Sequence, residues 1–341
     1  MKSIVIRKPG EVLLEERDVP RPQAGEALLK LLYGGICGSD LNAYRGTSAY
    51  VSYPCVPGHE FSAQIIEIEE NDRGLEPGMF VTANPYFNCG TCYSCRRGLV
   101  NCCTDNQTMG VQREGAFSAY ITMPIERLYT SAGLDPLTLA LLEPFCISYH
   151  GIDRGQVKMG DKVLVVGGGT IGILAAVAAK ARGALVYVAD VAPGKLALAE
   201  KFGIDGTIYA DNSEAYKRAV EQFTDGDGFD VTVEAAGLPL TFQACIDHVA
   251  FGGNVVMIGV SQQSLDFSFT VIQKKELHIY GSRNAQRSDF EQAIALVKSG
   301  AVNLADIVTD TYCWEDVARA FSEFDREAGN KLKVVLDFIN V

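Results

Sequence analysis

The sequence predicts an α/β protein in which a doubly wound parallel sheet is joined to a second, strand-rich domain. Three observations carry this. Strand and helix patterns alternate from about residue 160 onward, a glycine-rich turn opens that stretch at "VLVVGGGTIG", and residues 1 to about 146 read instead as short strands punctuated by glycine and proline. A chain of 341 residues also exceeds what one ordinary hydrophobic core holds, so two domains are expected.

The elements follow in order. "MKSIVIRKPG" reads as a first strand with Ile4 and Ile6 on one face. "GEALLKLLYGGICG" and "EFSAQIIEIEE" read as strands bounded by turns. "DKVLVVGGG" is a buried strand, and "TIGILAAVAAKARG" a helix ending at Gly183. "LVYVAD" is the next strand, and "PGKLALAEKFG" a helix with Pro193 at its start and Gly203 at its end. Alternation continues through "GTIYA", "SEAYKRAVEQF", "DVTVEAAG" and "NVVMIGV", which implies parallel strands with crossover helices. Two helices ("DFEQAIALVKSG" and "WEDVARAFSEF") and a strand ("KVVLDFI") finish the chain. The domains are expected at 1–146, at 147–284, and in a segment 285–341 that returns to the first.

Composition narrows the function. A net charge of -12 repels nucleic acid and anionic membrane surfaces, which leaves a small molecule as the expected partner. The N-terminal stretch lacks the apolar run of a secretory signal, and the apolar stretch from Val163 is broken by three glycines. The expectation is a cytoplasmic protein, where clustered cysteines bind metal more often than they form disulfides.

Gly167, Gly169 and Gly172 form Gly-x-Gly-x-x-Gly between a strand and a helix, and Asp190 ends the next strand eighteen residues past Gly172. The first glycine permits the tight turn, the second admits a pyrophosphate, and the third lets helix pack on strand. The helix N-terminus, at Thr170 and Ile171, offers free N–H groups to the phosphates. Asp190 suits ribose hydroxyls and repels a 2′-phosphate, favouring NAD over NADP, while Lys195 is a cation close enough in sequence to soften that repulsion. A nucleotide-free turn with a surface aspartate is the plainer alternative.

Cys89, Cys92 and Cys95 repeat every third residue, with Cys102 and Cys103 following. Four thiolates within one loop fit a tetrahedral structural zinc with no position open to substrate. A redox pair, a disulfide or an iron–sulfur cluster also use such thiols. "GGICGSD", "PGHE" and "LLEPF" supply Cys37, His59, Glu60 and Glu143. Cysteine, histidine and carboxylate together suit zinc with one position open. Singly, Cys37 reads as a small hydrophobe, His59 as a core histidine and Glu143 as a helix cap.

These pieces, in order, resemble the zinc-dependent medium-chain dehydrogenases over essentially the whole chain: "GGICGSD", "PGHE", "CGTCYSCRRGLVNCC", "LLEPF", "VLVVGGGTIG" and "VADV". The resemblance implies a GroES-like catalytic domain, a Rossmann domain, an active site in the cleft between them, and a homodimer or homotetramer. It implies a catalytic zinc on Cys37, His59 and Glu60, with Glu143 as a direct or water-mediated fourth ligand, and a structural zinc on Cys89, Cys92, Cys95 and Cys103. It implies that Ser39 takes the substrate proton and that Ile258, Gly259 and Val260, with Ser282 nearby, hold the nicotinamide end of NAD. Asn42 stands where the family often has a relay histidine, and Asn284 where sorbitol dehydrogenases carry arginine. "SYPCVPGHE", "LLEPFCISYH" and "KKELHIYGSRNA" resemble sugar-acid 5-dehydrogenases acting on L-galactonate or L-gulonate. Arg283 is then the candidate partner of a substrate carboxylate, its plain alternative being a surface arginine paired with an acid. A neutral polyol, L-threonine, or a non-catalytic nucleotide sensor are the competing readings.

Overall fold

The computed structural model describes residues 1–130, 133–210 and 213–339. The chain divides into two compact units: Met1–Glu143 with Gln286–Lys298 and Asn303–Val341, and Pro144–Ala285 with Ser299–Val302. The first division falls two residues into the helix Leu142–Arg154, just after Glu143.

The first unit is built on a seven-stranded sheet. Its order is Val308–Cys313, Lys333–Asp337, Glu26–Ile36, Glu60–Ile68, Phe80–Ala83 and Leu128–Tyr129, with Tyr120–Pro124 also paired to Glu26–Ile36. Lys2–Lys8 and Glu11–Glu16 form a separate antiparallel pair. Ser3, Ile4, Val5 and Ile6 are all buried there, so both faces of the first strand are covered, where the sequence led us to expect only the Ile4 and Ile6 face. The edge strand Val308–Cys313 was not expected either; "VTDTYC" is too polar to advertise itself.

Glu26–Ile36 is the spine of this unit, pairing with three other strands. Its two glycines are steric requirements. A Cβ at Gly34 would lie 2.5 Å from the Phe117 ring, and one at Gly35 would lie 2.3 Å from Glu60 Oε2. Gly35 faces Glu60 on one side and Val335 on the other. The strand therefore brings a bare backbone against Glu60 and then delivers Cys37 at the start of the helix Gly38–Arg45.

The second unit is a six-stranded parallel sheet in the order Gly206–Tyr209, Leu185–Asp190, Lys162–Val166, Phe229–Glu234, Val249–Met257 and His278–Gly281. In order of appearance along the chain this is 3-2-1-4-5-6, the doubly wound order that binds dinucleotides where the strand order reverses. Lys162–Val166 lies at that reversal. Its apolar run VLVV is buried because a central parallel strand is covered on both faces. Leu164, Val166, Ala189, Phe229 and Val255 form part of the core. The helix Thr170–Ala181 follows the glycine turn, and Pro193–Ala199 continues as a short 3₁₀ turn that stops at Gly203, whose φ is +65°. No helix among the described residues is long and apolar enough to cross a membrane.

Candidate metal and dinucleotide sites

In the first unit the ligand atoms of Cys37, His59 and Glu60 lie within 4.8 Å of one another. Cys37 comes from the strand-to-helix junction, while His59 and Glu60 come from the loop entering Glu60–Ile68. Asp40, which sequence reasoning missed, ties the two segments together. Its buried carboxylate accepts from Cys37 N–H at 2.9 Å and from Gly58 N–H at 3.0 Å. The signal for it was present, since an acid three residues after a helix N-cap commonly reaches back to the N-cap amide.

The donor chemistry fits a cation. His59 is 6% exposed, and its Nδ1 has no hydrogen-bond partner. Burial opposes its charge, yet the Cys37 sulfur, by charge and hydrogen bond, holds the imidazole well above its usual range, with Asp40 and Glu143 adding to this. Burial, with Glu60 adding, pushes Glu143 up to about 7. Anionic donors thus converge on buried ground, where a divalent ion relieves their repulsion. Glu143 stands outside the 4.8 Å group, and its Oε1 accepts from the hydroxyl of Tyr86. Glu60 Oε2 accepts from Lys333 Nζ at 2.5 Å. The lysine is fully buried, and although burial works against its charge, Glu60 holds it above the usual range. Tyr86 and Lys333 were also missed, and no local signal marks either one. Ser39 Oγ, in the first turn of the helix after Cys37, is buried without a partner.

The sulfurs of Cys89, Cys92, Cys95 and Cys103 form a second group within 4.8 Å. Cys92 Sγ and Cys103 Sγ are 3.9 Å apart. A disulfide needs about 2.05 Å, whereas the edge of a zinc–sulfur tetrahedron with bonds of about 2.3 Å is about 3.8 Å. Backbone amides point at the sulfurs: Cys92 N–H to Cys89 Sγ at 3.3 Å, Cys89 N–H to Cys103 Sγ at 3.2 Å and Asp105 N–H to Cys103 Sγ at 3.4 Å. The amides of Cys95 and Thr104 lower the Cys92 thiol to about 5. Cys102 is exposed and outside the group.

In the second unit the glycine turn is as tight as its spacing demands. Gly167 has φ +110°, and a Cβ on Gly172 would lie 1.8 Å from Gly167 O. Gly169 is the N-cap of the helix that Thr170 and Ile171 begin. Asp190 is bonded to the turn itself. Its Oδ2 accepts from Gly168 N–H at 2.6 Å and its Oδ1 from Ala192 N–H at 2.8 Å, so it braces the turn. Lys195 Nζ lies 3.9 Å from where a Cβ on Gly169 would stand, placing a cation beside the turn. Ile258 and Gly259 donate backbone N–H to Glu234 O, and Val260 is exposed. Ser282 Oγ is buried without a partner, and Arg283 is exposed just past His278–Gly281.

Comparison with known proteins agrees with this chemistry. Residues 23–132 match the alcohol dehydrogenase GroES-like domain, and residues 170–299 match the zinc-binding dehydrogenase family. L-galactonate-5-dehydrogenase of Escherichia coli K12 is 33% identical over 322 residues, 94% of each chain. Sorbitol dehydrogenase of Halalkalibacterium halodurans is 33% identical over 344 residues, 98% of this chain and 99% of that one. The NADH complex of RspB from Escherichia coli CFT073 superimposes with a TM-score of 0.91 at 31% identity, covering 99% of both chains. The chain belongs to the zinc-binding alcohol dehydrogenases: it is an oxidoreductase with a GroES-like domain and a Rossmann domain, and its cofactors are zinc and a nicotinamide dinucleotide.

Proposed function

We propose that this enzyme oxidises a secondary hydroxyl of a sugar acid, of the L-gulonate or L-galactonate kind and at C5, with NAD as hydride acceptor. The observation that carries the reaction class is the group of half-buried Cys37 with buried His59 and Glu60, whose donors suit zinc with a position open. Cys37, His59 and Glu60 would hold the catalytic ion, with Glu143 nearby, and the ion supplies Lewis acidity toward the hydroxyl. Cys89, Cys92, Cys95 and Cys103 would hold a structural ion. Ser39, whose buried hydroxyl lacks a partner, would relay the substrate proton, taking it as its own proton passes to the nicotinamide ribose. In the second unit the turn at Gly167, Gly169 and Gly172 would seat the pyrophosphate. Asp190 would accept from the ribose hydroxyls and exclude a 2′-phosphate. Ile258, Gly259, Val260 and Ser282 would bound the nicotinamide end.

The sugar-acid reading draws on the likeness to L-galactonate-5-dehydrogenase. It also draws on Arg283, whose planar guanidinium matches a carboxylate with paired donors. A neutral polyol is the second reading, favoured by the equal identity to a sorbitol dehydrogenase. Free thiol clusters suit a cytoplasmic protein, and the family resemblance is the ground for a homodimer or homotetramer. A screen of aldonates and polyols with NAD, on the wild type and Arg283→Met, separates the readings. Arg283 is exposed, so water screens its pairing with a carboxylate, and such a pair contributes about 0.2–1 kcal/mol; kcat/KM on the aldonate should fall by up to about fivefold. Slow polyol turnover should be spared. Good activity on sorbitol-like polyols with none on any aldonate overturns the sugar-acid reading.

A further inference from the structure

Lysine is almost never fully buried unless paired, and Lys333 is 1% exposed. It begins the strand Lys333–Asp337 and donates from Nζ to Glu60 Oε2 at 2.5 Å and to the carbonyl of Ile36 at 3.2 Å. Ile36 directly precedes Cys37. The ammonium therefore touches both segments that carry the cation donors. Gly35 completes the arrangement, because any Cβ there would fall 2.3 Å from Glu60 Oε2. Two positions far apart in sequence thus reserve the place in which Oε2 turns toward Lys333.

We propose that Lys333 is a positioning residue of the catalytic metal centre. It would hold Glu60 Oε2, leaving the other oxygen for the ion, and it would make the centre one charge more positive. The proposal rests on Cys37, His59 and Glu60 holding zinc. A thiolate, a carboxylate and a divalent ion sum to zero charge, and Lys333 raises the sum by one; counting Glu143 and Asp40 as anions lowers the totals with and without Lys333 equally. The added charge favours negative charge developing on the substrate oxygen, and it opposes holding the metal too tightly.

Removing Lys333 therefore has two opposed effects. Loss of an orienting partner typically weakens metal affinity or activity by about 10–100-fold. Loss of a cation beside a divalent ion strengthens metal binding, and in a dry site at a few ångström the repulsion relieved exceeds a tenfold step. Charge should win on metal retention, while turnover still suffers. A lysine that merely supports the fold predicts the reverse for the metal.

The test uses zinc-loaded holoenzyme and the variants Lys333→Met, Lys333→Gln and Lys333→Arg. Glutamine keeps a donor for Glu60, so a folded uncharged variant remains should methionine fail. Zinc release to a chelator is followed in the phase that tracks loss of turnover. The uncharged variants should release this zinc at least about tenfold more slowly. They should lose about 10–100-fold in kcat, with KM for NAD unchanged. Arginine should restore the wild-type release rate. A folded uncharged variant that releases zinc at or above the wild-type rate overturns the proposal, as does an arginine variant that behaves like methionine. If the wild type holds one zinc, or Cys37→Ser keeps both, the metal assignment itself fails and takes this proposal with it.

Discussion

Asp190 carries two loads, and replacing it should reveal both. Its oxygens accept from Gly168 N–H at 2.6 Å and Ala192 N–H at 2.8 Å, and its charge stands where a ribose is expected. Asp190→Ser leaves one short acceptor for two amides, so at least one charge-assisted bond goes. Such a bond contributes about 1.5–3 kcal/mol, or roughly 10- to 150-fold in affinity. The site is half-buried, so water can satisfy part of what is lost, which places the expected effect toward the lower end. NADH fluorescence titration should therefore show about 10- to 30-fold weaker binding. The preference for NAD over NADP should narrow at the same time, because a like charge opposing the 2′-phosphate is gone. Wild-type NADH affinity in the variant would show that Asp190 neither braces the turn nor meets the ribose. A wild type that used both cofactors equally would also refute the assignment.

Two further perturbations test neighbouring parts of the account. Cys92→Ser should lower thermal stability and release one zinc per chain, since a structural ion's binding energy is folding energy; differential scanning calorimetry with metal analysis reads both, and an unchanged transition counts against the four-thiolate cage. Gly172→Ala places a methyl 1.8 Å from Gly167 O, so the turn must open; overpacking of this kind costs about 1–3 kcal/mol, and NADH binding should fall while the zinc content stays at two.

The dinucleotide half was legible because its signals are local. A buried strand, a glycine turn, a helix and an acid fall within thirty residues, and each glycine's role follows from spacing alone. Cys89, Cys92 and Cys95 were legible for the same reason, whereas the choice of Cys103 over its neighbour Cys102 came with the family resemblance. Lys333 was not. It meets Glu60 across 273 residues, through a strand register that no local pattern encodes. Tyr86, 57 residues before Glu143, is a similar case. Asp40 was readable, as the acid three residues after the N-cap Cys37. The strand Val308–Cys313 stayed hidden because an edge strand need not be apolar.

The central claim is that Cys37, His59 and Glu60 hold a catalytic zinc while the four-cysteine cage holds another. Metal analysis of freshly purified, unchelated protein tests it most directly, comparing wild type with Cys37→Ser alongside NADH production from an aldonate. The account predicts two zinc ions in the wild type and one in the variant, with turnover abolished and NADH still bound. A variant that keeps both ions, or that keeps turning over, contradicts it.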